Sequence, residues 1–332
     1  MAKQRLAYID FMKGLCIMLI VMHHTDVTFF DAVAPNLNNA LQSFRVPMYY
    51  FLSGLFFKTY SGFTEFLKRK VNNLVVPLLF FHVMSYLVGY AMFPLLQPDG
   101  EFYWHGLIDP LTLRRWPYSL PLWFLVSLFE VNIIYYALQR LLKPVWAQAL
   151  VLAALSIVPI WLSRQAIALP LLLDTALVGL PFFVLGHAVK CADWLAPHRL
   201  DKWGLFVFPV VAVAIYPLAG HIDLLPQHLP SWPQLYLIPM VSILAIMWMS
   251  KNIKRKVPVI GTWGQYSLIV LGTHDWLLTP LDLLLADAPL SAPVLALVKW
   301  GITMAAMLLI IPFMVRFFPL VTAQKPLLKI KE

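Results

Sequence analysis

The sequence predicts an all-α, polytopic transmembrane helix bundle of about ten helices with both termini cytoplasmic, built as one membrane domain over residues 1–332. Three observations carry that expectation. Hydrophobic residues make up 61% of the chain and charged residues only 12%, against about 45–50% and about 25% in a soluble domain. Apolar runs able to cross a hydrocarbon core of about 30 Å recur along the chain. The basic residues between those runs alternate between dense and sparse segments, as the positive-inside rule requires.

The runs lie near 10–30, 44–60, 74–95, 119–140, 147–168, 174–191, 204–220, 232–250, 263–284 and 293–317. No small-residue cleavage site follows the first, so it reads as a retained helix rather than a signal peptide. With the N-terminus in the cytoplasm, 20 of the 25 lysines and arginines fall on cytoplasmic segments. The other side keeps Arg45, Arg114, Arg115, Arg164 and Lys299. Topology thus accounts for most of the formal net charge of +9, and no nucleic-acid partner is expected. Two cysteines, Cys16 and Cys191, sit in or beside apolar runs and give no disulfide framework. The outer segments 25–43, 96–118 and 221–231 are too short for a soluble domain, which leaves the chemistry to the bundle. Its one certain partner is the bilayer, and the sequence leaves the oligomeric state open.

The first run, "DFMKGLCIMLIVMHHT", carries Asp10, Lys13, His23 and His24. Titratable groups at membrane depth are costly and mark function. At about 100° and about 1.5 Å per residue, Lys13 and His24 share a helix face about 16 Å apart, with Asp10 one turn below Lys13. His23 points about 100° away, so His24 alone is expected to face the working side. Read singly, Lys13 is either a snorkelling anchor or a cation with a task. His274 lies about as deep in the ninth helix as His24 does in the first. Glu130 sits mid-run in the fourth helix, as a proton carrier or half of a structural pair. Arg45 either orients a substrate or pairs Asp26 or Asp31. Adjacent His23 and His24 chelate poorly, and no H-E-x-x-H or spaced cysteine set occurs, so no metal is expected.

These residues also carry a resemblance. "YIDFMKGLCIMLIVMHH" (8–24) resembles the first-helix signature of the acyltransferase-3 family of integral membrane acyltransferases, which acylate bacterial surface and secreted glycans. That signature is a cation, ten residues, then a histidine, here Lys13, Gly14 and His24. "FRVPMYYFLSGLFF" (44–57) resembles the second-helix segment, "LPLWFLVSLFE" (120–130) the fourth, "LPFFVLGHAVK" (180–190) a Phe-x-x-Gly helix end, and "YSLIVLGTH" (266–274) the late Ser-Leu…His segment. The family's paired arginines after the second helix correspond to Lys70 and Asn73 before Pro77, so one cation of that pair is missing.

The resemblance implies an acetyl-CoA-dependent O-acetyltransferase of the class that transfers groups other than aminoacyl groups. Acyl-CoA would be the donor and a polysaccharide or lipid-linked sugar the acceptor, at the bacterial cell inner membrane. His24 and His274 would be the catalytic pair. Lys13, Lys70 and Arg69 would hold the CoA phosphates, and Arg45, Glu130 and Asp10 would serve the substrate side. On physics alone, a proton-coupled transporter or flippase for a lipid-linked glycan competes with this reading, although no internal repeat supports it. The topology is directly testable. Reporter fusions at positions 70, 143, 202 and 255 should read cytoplasmic and fusions near 100 and 226 external; a cytoplasmic signal near 100 breaks the ten-helix arrangement.

Overall fold

A computed structural model describes residues 6–25, 36–97, 99–109, 116, 118–225 and 228–330. Asp26, Asp31, Arg114 and Arg115 lie outside the described residues, as do parts of the outer segments 25–43 and 96–118. Among the described residues the protein is helical, with a single isolated β-bridge between Asp223 and His228. The helices are α1 (Ala7–His23), α2 (Leu37–Leu55), α3 (Phe63–Leu96), α4 (Trp123–Leu141), α5 (Val145–Arg164) and α6 (Leu173–Cys191). They continue with α7 (Gly204–Ile215), α8 (Ile238–Ser250), α9 (Pro258–Gln265), α10 (Ser267–Leu284) and α11 (Ala292–Phe317).

Each of the ten predicted runs coincides with a helix, and seven helical segments are long and apolar enough to span a membrane by length and composition. The chain is a multi-pass membrane protein. Helices α1, α2 and α10 are the predicted crossings outside that set of seven. Helix α2 begins at Leu37, earlier than predicted, because the polar stretch "LNNALQS" is its first two turns rather than loop. Helix α1 ends at His23 instead of extending past the predicted His24, which caps it with helical backbone angles. The third run starts early as well, since "FTEFLKRK" is an amphipathic first segment joined to the apolar part through a π turn at Val71–Val75. The ninth run is broken at Tyr266, between α9 and α10.

Between lipid-bathed helices there is little hydrophobic drive to associate, so close packing and small residues hold them. Glycine supplies two such contacts. A side chain at Gly264 on α9 would collide with the Asp10 carbonyl of α1, and one at Gly14 with the Ile260 carbonyl of α9. A side chain at Gly54 on α2 would meet the Phe183 carbonyl of α6, and one at Gly186 the Phe51 carbonyl. The π turn is fastened from the C-terminal side, where Asn72 Nδ2 donates to Leu328 O (2.9 Å) and Asn72 Oδ1 accepts from the Leu327 and Leu328 amides (3.0 and 2.8 Å). Helices α5 and α7 form the lipid-facing periphery, with Trp146, Leu150, Phe206 and Val213 exposed.

Forcing one methyl group into a backbone contact destabilises by about 1–3 kcal/mol. Gly264→Ala should therefore lower the thermal midpoint of the detergent-solubilised protein by several degrees. Gly301→Ala, which has nothing within 4 Å to meet, should leave it unchanged.

Candidate active site

Helices α1, α2 and α10 enclose, with α4 and the segment 221–225, a cavity of about 780 Å³. Ligand sites typically hold about 300–1,000 Å³. Lys13 and Asn73 line one part of it, and His24, Arg45, His221 and Asp223 another. The rise of α1 between Lys13 and His24, about 16 Å, sets its length. Lys13 projects its Nζ over the Phe56 ring, 5.3 Å from the centroid. Its carbonyl accepts a hydrogen bond from the Tyr49 hydroxyl at 2.8 Å, which ties α1 to α2 at the level of the cation.

His24 faces the cavity, and His274 stands behind it, fully buried, with ring centroids 5.1 Å apart. His274 is outside the cavity lining, so it reaches a ligand only through His24. His274 Nδ1 lies 2.9 Å from the Val270 carbonyl, which can only accept; Nδ1 therefore donates, and Nε2 is turned toward Asp275 Oδ1 at 3.3 Å. This tautomer follows from the hydrogen-bond network. One donor atom from each of His24, His274 and Asp275 falls within 4.8 Å of the others. The arrangement is a histidine at the cavity wall backed by a buried histidine with a carboxylate close beside it.

The other expected residues divide. Arg45 lines the cavity and is 5% exposed. Asp10 is buried at the α1–α9 contact, outside the lining. Arg69 is engaged locally: its Nε lies 2.7 Å from Glu65 Oε1, and its guanidinium stacks over the Tyr60 ring at 4.6 Å. Lys70 packs over Phe66 at 5.4 Å, while Asn73, where the resemblance puts a second cation, does reach the cavity. Glu130 lies on α4 one turn past Ser127, whose hydroxyl pairs with that of Tyr50 at 2.7 Å, and it too stands outside the lining.

One expectation is corrected. His23 also faces the cavity, its ring edge-on to His24 with centroids 5.6 Å apart. The helix ends there, so the cavity opens beyond it and receives both rings. The sequence also gave no notice of Tyr49, Asn38, Gln42, His221 or Asp223. The last two belong to a segment that folds back over the cavity, with Ile222 and Leu224 buried and Leu224 O accepting from Thr175 Oγ1 at 3.1 Å. The only signal for Asn38 and Gln42 was their helical spacing from Arg45, legible once α2 is known to begin at Leu37.

No curated protein and no solved structure matches the chain. Residues 6–316 match the family model described as an acyltransferase domain, and this span includes every residue of the cavity wall. Nearly the whole chain lies within that match, and the protein belongs to the acyltransferase-3 family.

Proposed function

We infer that the protein is an O-acyltransferase, in the first place an O-acetyltransferase, that moves an acyl group from cytoplasmic acyl-CoA to a hydroxyl of a cell-surface or lipid-linked glycan. The setting is the bacterial inner membrane, with both termini cytoplasmic. The observation that carries the reading is one cavity bordered by Lys13 at one level and by His24 some three turns further along the same helix. The positive-inside distribution turns the Lys13 end toward the cytoplasm, where CoA and its phosphates are found.

Lys13 holds a CoA phosphate as a point charge, and the pantetheine arm threads the thioester toward His24. His24 removes the proton from the acceptor hydroxyl as that oxygen attacks the thioester carbonyl. The C–S bond then breaks and His24 returns the proton to the departing thiolate sulfur. Attack by His24 itself, giving a transient acyl-histidine, fits the same position. His274 packs against His24 from behind, and the Asp275 carboxylate offsets the positive charge of His24 while it carries the proton. On this reading the cluster works without a metal.

Purified protein in detergent should consume labelled acetyl-CoA and form an ester on added acceptor glycan; a carrier would leave the thioester intact. General acid–base catalysis contributes on the order of 10²–10⁴ in rate, so His24→Ala should lose at least that much acyl transfer at unchanged membrane abundance. An active His24→Ala ends the assignment. Lys13→Ala should raise the KM for acyl-CoA, while Lys13→Arg keeps most of the activity, since a guanidinium binds phosphate at least as well. If Lys13→Ala changes only protein level, the side chain is an anchor.

A further inference from the structure

The axis from Lys13 to His24 leaves a second set of polar groups in the cavity without a task. Asn38, Gln42 and Arg45 recur at helical spacing on α2, share one face, and all line the cavity. Each is at least nine-tenths buried, with 9%, 9% and 5% exposure. Yet Asn38 Oδ1, Gln42 Oε1 and Arg45 Nη1 have no hydrogen-bond partner among the described residues. His23 Nδ1, facing the same space from the end of α1, has none either. Buried polar groups in folded proteins are almost always paired, and an unpaired one is destabilising without return. Four of them around one cavity mark a surface shaped for a ligand that supplies the missing partners.

The identity of the groups selects the ligand. A phosphate or carboxylate offers acceptors only and would answer Arg45 but not the two amide oxygens. A hydrocarbon chain would answer none of them. Sugar hydroxyls both donate and accept, so one ring can donate to the amide oxygens of Asn38 and Gln42 while accepting from Arg45. The His23 and His24 rings, 5.6 Å apart, put this wall within about one sugar ring of the histidine assigned to chemistry.

We propose that Asn38, Gln42, Arg45 and His23 form a polyol-binding subsite that holds the acceptor sugar by its hydroxyls and turns one of them toward His24. The segment 221–225, pinned by Thr175, covers this part of the cavity. Delivery of the hydroxyl to His24 rests on the acyltransfer reading above; the binding of sugar does not.

The test therefore uses no acyl donor. The full chain, purified in detergent, is examined by saturation-transfer NMR against methyl glycosides of glucose, galactose, rhamnose and N-acetylglucosamine. At least one should bind the wild-type protein, and Gln42→Leu and Asn38→Leu should each weaken that binding on the order of tenfold, the loss of one hydrogen bond to a buried group. Neither leucine variant should lower the thermal midpoint, because each replaces an unpaired buried amide with an apolar group of similar size. Three results overturn the proposal: no glycoside of the panel bound by wild type, inorganic phosphate displacing the glycoside as a direct competitor, or a leucine variant that melts earlier and so had a structural partner. Sugar binding without acetyl-CoA turnover would instead sink the acyltransfer reading and leave the subsite standing.

Discussion

Everything at this site depends on two helix pairs brought to backbone contact. Gly264 lies against the Asp10 carbonyl, and Gly54 and Gly186 lie against the carbonyls of Phe183 and Phe51. In lipid, packing and polar contacts must do what the hydrophobic effect does in water. Removing the β-carbons lets α1 and α9, and α2 and α6, approach closely enough to be fixed in rotation as well as in distance. Rotation decides the chemistry, since a slip of one residue in α1 would turn Lys13 away from the cavity by about 100°. Gly14, Gly54 and Gly186 lie in the segments that carried the family resemblance, so their place in those motifs has a steric reason.

Around that frame the bundle sorts its polar groups by layer. The outer helices α5 and α7 are predominantly apolar, while α2 and α10 carry enough polar residues to be poor membrane helices and α1 is one residue short of the shortest of the seven spanning segments. Each of these three turns its polar face inward. His274 shows the arrangement most clearly: it is fully buried, bound to the Val270 carbonyl on one nitrogen and close to Asp275 on the other. Such a group meets the cavity only by packing against the ring of His24.

How much of this was legible in the sequence varies from residue to residue. The apolar run 174–191 gave its helix to within a residue, because lipid enforces length and hydrophobicity together. The run 119–140 gave the end of α4 to within a residue but its start four residues early, at the turn Leu120–Leu122 that leads into it. The shared face of Lys13 and His24 followed from helical geometry, and both line the cavity. The start of α2 was not legible, since "LNNALQS" reads as loop to any measure that equates polar with water-facing; its polar side faces an internal cavity. His23 was misjudged because the wheel assigns one face to the cavity, whereas the cavity widens at the end of α1 and takes both rings. Arg69 was read as part of a basic run, although Glu65 four residues earlier was a visible partner. Nothing local foretold that residues 221–225 fold back, as that depends on Thr175, far away in the chain.

The polar character of α2 also bears on how the protein is made. A helix with Asn38, Asn39, Gln42 and Arg45 is unfavourable as a lone occupant of the bilayer, where a central arginine alone costs about 2.5–3.5 kcal/mol on insertion scales. Its glycine-matched partner α6 starts only at Leu173, and the intervening chain takes on the order of ten seconds to synthesise at about 5–20 residues per second. During that interval α1, tied to α2 through the Tyr49–Lys13 hydrogen bond, is the packing partner already made. The second helix to be translated is thus among the later ones to settle, and biogenesis of the bundle runs out of step with the order of its sequence.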